Sequence, residues 1–202
     1  MDSTLLTSGA LSLRRDEKRG FERRVRVHCG DAGLRAELGR LLEPYERFER
    51  SAVRAHLLFD APRGWAGSLD TLPGEPTIVV TDNICPEYKL DLLDKAPAAL
   101  IEGLSLWEVV ATLNAVRAGE RRCPEVTSPL TLTERHTLKL AALGLEAKAI
   151  AKIRSTSPGT VNNTLCVIYQ KLRLKSRVEL THYYLGHWHL LQGWQPPSEV
   201  RP

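Results

Sequence analysis

A parallel α/β unit followed by a small all-helical unit is the fold class this chain predicts, and three observations predict it. Short continuous apolar runs (VRVHC, AHLLF, TIVVT, AALI) alternate with helix-like stretches over residues 25–119, the pattern of parallel strands covered on both faces. Beyond residue 130 such runs stop, and helical apolar stripes separated by capping residues take over. The formal charge divides the same way: +2 over 1–24, −4 over 25–129 and +6 over 130–202, giving the net +4 of the 202-residue chain. An acidic block before a basic one fits two domains, the second attracted to a polyanion, beside the plainer alternative of a solvated basic surface.

The elements follow in order. Residues 1–24 mix acids and bases without periodicity and read as a flexible tail, with none of the features of a signal peptide. The first domain, 25–119, opens with the strand Val25–Cys29. An amphipathic helix, Gly33–Glu43, turns Leu34, Leu38, Leu41 and Leu42 inward. Ala55–Phe59 is a second strand ending at Asp60, Thr77–Thr81 a third, rich in β-branched residues, and Ala98–Ile101 a fourth. Leu106–Arg117 is a broadly apolar helix closed by Gly119, suited either to core packing or to a dimer face. Residues 120–130, ERRCPEVTSPL, are polar with two prolines and read as the interdomain linker.

The second domain, 131–191, divides into four helices. Thr133 opens the first, which runs to about Leu143 and is ended by Gly144. Ala147–Ile153 is a short second helix that buries Ile150 and Ile153. Ser157-Pro158 gives the third helix, Pro158–Leu172, an N-cap and a first-position proline. Val161, Leu165, Ile168 and Leu172 form its apolar stripe, and Asn162, Asn163, Cys166, Val167 and Gln170 face away from it. Ser176 caps a fourth helix, with Glu179 completing a capping box. His182, His187 and His189 fall in this last helix at spacings that do not suit a helical metal pair. Tyr183, Tyr184, Trp188 and Trp194 give it bulk for packing on the other domain or on a second copy. Residues 192–202 are proline-rich and read as an irregular tail.

The second domain resembles the LuxR/NarL/FixJ family of bacterial transcription regulators. The resemblance rests on Leu132-Thr133-Glu134-Arg135, Gly144, Ile150-Ala151, Ile153, Ser157-Pro158-Gly159-Thr160-Val161, Lys171-Leu172 and Arg177-Val178-Glu179, over about 50 residues with spacing intact. His136 stands where the family's glutamate closes the first capping box, Asn162 where lysine is usual, and Thr164 where histidine is usual. The resemblance implies that the third helix enters the DNA major groove and reads bases at the positions of Asn162, Asn163 and Cys166. On chemistry alone, Asn and Gln side chains such as Gln170 can pair bidentately with adenine, and Val167 offers an apolar contact. Thr160 in the first turn suits a phosphate. Lys171, Lys175 and Arg177 are candidate phosphate contacts, with Lys148 and Lys152 beside them. The bland alternative is that the asparagines merely face solvent.

The strand–helix order of the first domain resembles a response-regulator receiver, a flavodoxin-like fold, here shortened and atypical. That resemblance implies an acidic pair for magnesium, an aspartate phosphoacceptor, a hydroxyl and a lysine at the strand ends. Two alignments are open. One makes Asp60 the phosphoacceptor and Thr81 the hydroxyl, places Glu102 at the lysine position, and shortens only the region near Tyr45–Val53. The other makes Asp82 the phosphoacceptor and deletes a later strand and helix. In both, Cys29-Gly30-Asp31 stands where an acidic pair is needed, so conventional aspartyl phosphorylation is not expected.

No nucleophile–base pairing, phosphate loop or metal spacing appears, so an enzyme is not expected and no cofactor or metal is implied. Four scattered cysteines and the lack of a run long enough to span a bilayer imply a cytoplasmic protein with no membrane association. The reading is a DNA-binding transcription regulator, dimeric on double-stranded DNA, with RNA polymerase or another regulatory protein as a further partner. The alternatives are a phosphorylation-switched response regulator, a sigma-factor-like protein, and an interaction adaptor that does not bind DNA.

Overall fold

The computed structural model describes residues 24–48, 53–74, 76–103 and 105–198. Except for Arg24, the expected N-terminal tail lies outside the described residues. Four parallel strands form one sheet in the linear order β1 (Val25–Cys29), β2 (Ala55–Phe59), β3 (Thr77–Thr81) and β4 (Ala99–Glu102). Side-chain alternation sends Ala55, Leu57, Phe59, Ile78, Val80, Ala99 and Ile101 to one face. There they meet Leu34, Leu38 and Leu42 of α1 (Ala32–Phe48) and Val109, Leu113 and Val116 of α4 (Leu106–Arg117). The opposite face, with Leu58, Val79 and Leu100, carries α2 (Trp65–Ser68) and α3 (Pro86–Leu93).

The strand order agrees with the first of the two alignments. A flavodoxin-like sheet runs 2-1-3-4-5, and deleting its edge strand leaves four strands in sequence order, as observed. Had the missing strand been a later one, β1 would lie between β2 and β3. That order is the one expected by the alignment that ends the second strand at Asp60. The deletion leaves a further mark. The β1–α1–β2 and β2–α2–β3 connections run in the same lateral direction with their helices on opposite faces. They are thus of opposite hand, although right-handed crossovers are close to universal. Removing a strand and its helix from between α1 and β2 produces this arrangement.

The second part is a bundle of α5 (Leu132–Ala142), α6 (Ala147–Ile153), α7 (Pro158–Leu172) and α8 (Arg177–Tyr184), followed by a 3-10 turn at Trp188–Leu190. Several local expectations change. The first cap is Thr131, whose hydroxyl accepts from Glu134 N–H while Glu134 accepts from Thr131 N–H. The capping box is thus complete two residues earlier than Thr133, and His136 plays no part in it. Ile150 is fully buried, but Ile153 is 55% exposed at the helix end. Gly186, in the left-handed region, follows α8, so His187 and His189 lie beyond that helix. The expected linker is not free: Arg122 bridges β4 at Ala99, and Leu130 is buried. The expected tail is also partly docked, since Trp194 Nε1 donates to Leu172 O at 2.8 Å.

The two parts share one core. Leu58, Val79, Tyr88 and Leu92 of the sheet unit are continuous with Leu138, Ile150, Ile168, Leu180, Tyr183 and Tyr184 of the bundle. Helix α3, absent from the sequence reading, is the hinge of this contact.

Candidate nucleic-acid interface

Helix α7 is fixed from one side only. Ser157 Oγ accepts from Thr160 N–H at 3.0 Å, and Pro158 fills the first position. Val161, Ile168 and Leu172 are fully buried and Leu165 nearly so, each contributing about 1.5–3 kcal/mol of transfer free energy. The bundle therefore sets both the depth and the rotation of the helix. On the other side Asn162, Asn163, Cys166, Val167 and Gln170 are all exposed. This is a row of amide groups, one thiol and one apolar side chain on a rigid rod, able to meet base edges in a groove.

The remaining predicted residues separate into two groups. Thr160 is exposed, with its hydroxyl 2.9 Å from Ser157 Oγ. Lys175, Lys148 and Lys152 are exposed. Lys171 instead ties the bundle together, donating to Glu134 at 2.7 Å and to Pro129 O at 3.2 Å. Burial pushes the Glu134 carboxyl up, but the hydrogen bonds from Lys171 and Thr131 more than offset it and hold it below its ordinary range. Arg177 donates to Ala141 O and Leu145 O. Glu179 accepts from Lys175 N–H rather than closing a box on Ser176, whose hydroxyl accepts from Glu179 N–H.

At the strand ends the receiver-like groups are engaged in holding the chain. Asp60 is 5% exposed. Its Oδ1 accepts from Gly64 N–H and Ala66 N–H at 3.1 and 2.8 Å, and its Oδ2 from the Thr81 hydroxyl at 2.9 Å. Asp31 Oδ1 caps α1 through Leu34 N–H at 2.7 Å. Asp82 faces Arg63 through two hydrogen bonds, and the Arg63 side chain holds its carboxyl below the usual range. Glu102 pairs with Lys89 at 2.7 Å. The Trp65 indole lies against Gly30, where a Cβ would come within 2.8 Å of the ring. These donors do not fit a magnesium ion: each carboxylate is already committed to a protein donor, and among the described residues no group of three or more His, Cys, Asp or Glu could hold a metal.

Sequence reasoning did not find the residues that join the two parts. Glu87, fully buried on α3, accepts from Tyr183 Oη at 2.6 Å and from Ser128 Oγ at 2.5 Å. Asp91 accepts from Tyr184 Oη at 2.5 Å and lies 3.5 Å from Arg135. Asn83 Nδ2 donates to Tyr184 O at 3.1 Å, and Arg63 Nη1 to Gly186 O at 3.3 Å. Burial drives the Asp91 carboxyl and both tyrosine hydroxyls upward, so the tyrosines stay protonated donors.

The chain thus joins a flavodoxin-like sheet unit, short of one strand, to a helix-turn-helix bundle that offers one helix outward. Residues 128–184 match the family model for bacterial regulatory proteins of the luxR family, and the bundle belongs to that family. Three mycobacterial proteins described as HTH-type transcriptional regulators, from Mycobacterium bovis and two strains of Mycobacterium tuberculosis, are 40% identical over 77 residues, 38% of this chain and 9% of theirs. The transcriptional regulatory protein DesR of Bacillus subtilis is 35% identical over 80 residues, covering 36% of this chain and 40% of its own. The chain therefore spans less than half the length of the curated relatives it matches. Among solved structures, RcsB from Salmonella enterica serovar Typhimurium, bound to promoter rprA, covers 81% of this chain and 98% of its own at 17% identity, with a TM-score of 0.41.

Proposed function

We propose that this protein is a DNA-binding transcription regulator whose α7 lies in the major groove, with Asn162, Asn163, Cys166, Val167 and Gln170 meeting base edges. The carrying observation is the division of α7: one side is sealed into a luxR-family bundle while the other, rich in amides, is open. Thr160 and Lys175 serve as phosphate contacts. Lys171 and Arg177 support the bundle in this conformation and reach phosphate only by exchanging their present partners. Selection of bound duplexes from a random pool tests the reading. An adenine preference should emerge, and Asn163→Ala should relax it at one position at a cost of about 1–3 kcal/mol. Uniform weakening across all sequences would defeat base reading by Asn163.

The sheet unit, in this reading, assembles the regulator and is not switched by aspartyl phosphorylation. The Asp60 carboxylate, already engaged by three protein donors, supports that, as does the finding that no group of three or more His, Cys, Asp or Glu among the described residues could hold a metal. Incubation with acetyl phosphate and magnesium should leave the intact mass unchanged; a stable magnesium-dependent adduct contradicts it. The protein acts as a homodimer on two-fold related half-sites, and RNA polymerase or another regulatory protein is its further partner. Because α8 spends Leu180, Tyr183 and Tyr184 on its own core, only its other side, with the exposed Val178, is open to a second copy. Light scattering with and without the selected duplex reports the stoichiometry.

A further inference from the structure

We infer that the C-terminal end of α7 and the segment Gln192–Gln195 form a second DNA contact, a notch for a backbone phosphate at the rim of the major groove. The inference rests on the reading of α7 as the helix that enters the groove. Arg173, which ends α7, follows Asn162 by eleven residues, about three turns along the helix axis. At 1.5 Å per residue that separation is roughly 16 Å, whereas the groove is only about 12 Å wide. When Asn162 meets a base edge, Arg173 has passed the groove floor and lies over the sugar–phosphate rim.

The local structure is built for an anion there. Arg173 caps α7 at φ 55°, in the left-handed region where glycine is the unstrained choice. A cation held in such a conformation invites a functional explanation. Arg173 and Lys175 are both exposed, and neither side chain has a hydrogen-bond or ion-pair partner among the described residues. With Gln192, Trp194 and Gln195 they line a cleft of about 280 Å³. Its far wall is fastened: Trp194 donates to Leu172 O at 2.8 Å and meets Trp188 and Tyr183 edge-on at 5.1 and 5.5 Å. Glu179 also borders the cleft, but its Oε2 is turned to Lys175 N–H at 2.7 Å. Two free cations and two amide side chains remain, a donor set for a phosphodiester. Gln192–Gln195 lies outside the 128–184 family match.

Cations at a helix C-terminus also offset its dipole, and the test separates that role from DNA contact. Affinity of the full chain for its selected duplex and for an unselected one is measured between 50 and 200 mM salt, together with thermal midpoints. For the Arg173→Ala/Lys175→Ala double variant, the slope of log affinity against log salt should become shallower by about 1.8, at about 0.9 per phosphate. Both duplexes should weaken by the same factor. Gln192→Glu, which puts a carboxylate in the notch, should weaken both as well. Arg173→Gly should hold or raise the thermal midpoint while lowering affinity. A lowered midpoint with an unchanged salt slope means that only the dipole was served, and overturns the notch. If Asn163→Ala shifts base preference while the notch variants keep the wild-type slope, the notch falls and groove reading stands. If the wild-type chain binds no duplex at low salt, both fall.

Discussion

Asp60 shows how one carboxylate can fasten the end of a strand to the loop that follows it. Its two oxygens receive two backbone N–H groups and the Thr81 hydroxyl in a nearly dry site. Removing that carboxylate leaves two buried donors and one partly buried donor without their partner, and each buried loss costs about 1–3 kcal/mol before relaxation. Asp60→Ala should therefore lower unfolding free energy by roughly 2–4 kcal/mol in urea, with no change in the number of phosphoryl groups the protein accepts. A cost below about 0.5 kcal/mol would show that the site relaxes or admits water. A second residue-scale prediction concerns the stacked pair His28 and His56, whose ring nitrogens are 2.9 Å apart. Burial lowers both pKa values, and the His56 and Arg26 charges add to the lowering at His28. A depressed folded-state value means that the unfolded chain takes up protons first. Stability from the pair is thus full above about 6.5 and falls as pH drops below it. The urea midpoint should decline between pH 7 and 5, and His56→Gln should reduce the decline; an equal decline in the variant removes the pair as its source.

At the scale of elements, the strands and α7 were legible because their signals are local. β3 is β-branched at all five of its positions, and α7 announces itself by a cap, a proline and an unbroken stripe. Helix α3 was not legible, for a physical reason. It is eight residues long, and Glu87, Lys89 and Asp91 are buried along with Tyr88 and Leu92, so no polar face marks it. Its carboxylates are made tolerable by Tyr183 and Tyr184, more than ninety residues away in sequence. The Thr131 cap was missed because TLTERH carries two threonines in competing registers. The one with glutamate three residues on wins, since only glutamate can reach back to the cap N–H. Tyr183→Phe isolates the α3–α8 coupling. It keeps the stacked contact with Trp188 but strips Glu87 of a 2.6 Å donor, so destabilisation of about 1–3 kcal/mol is expected in chemical denaturation. No measurable loss would mean that a water or Ser128 takes over that donor's role.

At the scale of the whole molecule, the sequence divides where the structure does not. Charge, composition and periodicity all place a boundary near residue 120, and the chain does change from sheet to helices there. Yet one apolar core runs across the boundary, and buried hydrogen bonds accompany it, donated by Tyr183 to Glu87, by Tyr184 to Asp91 and by Asn83 to Tyr184 O. A contact of that kind behaves as part of a fold, unlike the smaller polar contacts between domains that move independently. Neither half can release the other without exposing Tyr88, Tyr183 and Tyr184 and leaving buried carboxylates without their donors. The full chain should therefore unfold as one cooperative unit, with tryptophan fluorescence, far-ultraviolet dichroism and calorimetry giving a single shared transition. Two resolved transitions, the first confined to the bundle's tryptophans Trp188 and Trp194, would show that the shared core is too weak to couple them. The single transition carries a consequence for control. If the bundle cannot part from the sheet unit short of global unfolding, the open side of α7 is presented at all times, and under the proposed function control would have to act elsewhere than on uncovering the helix.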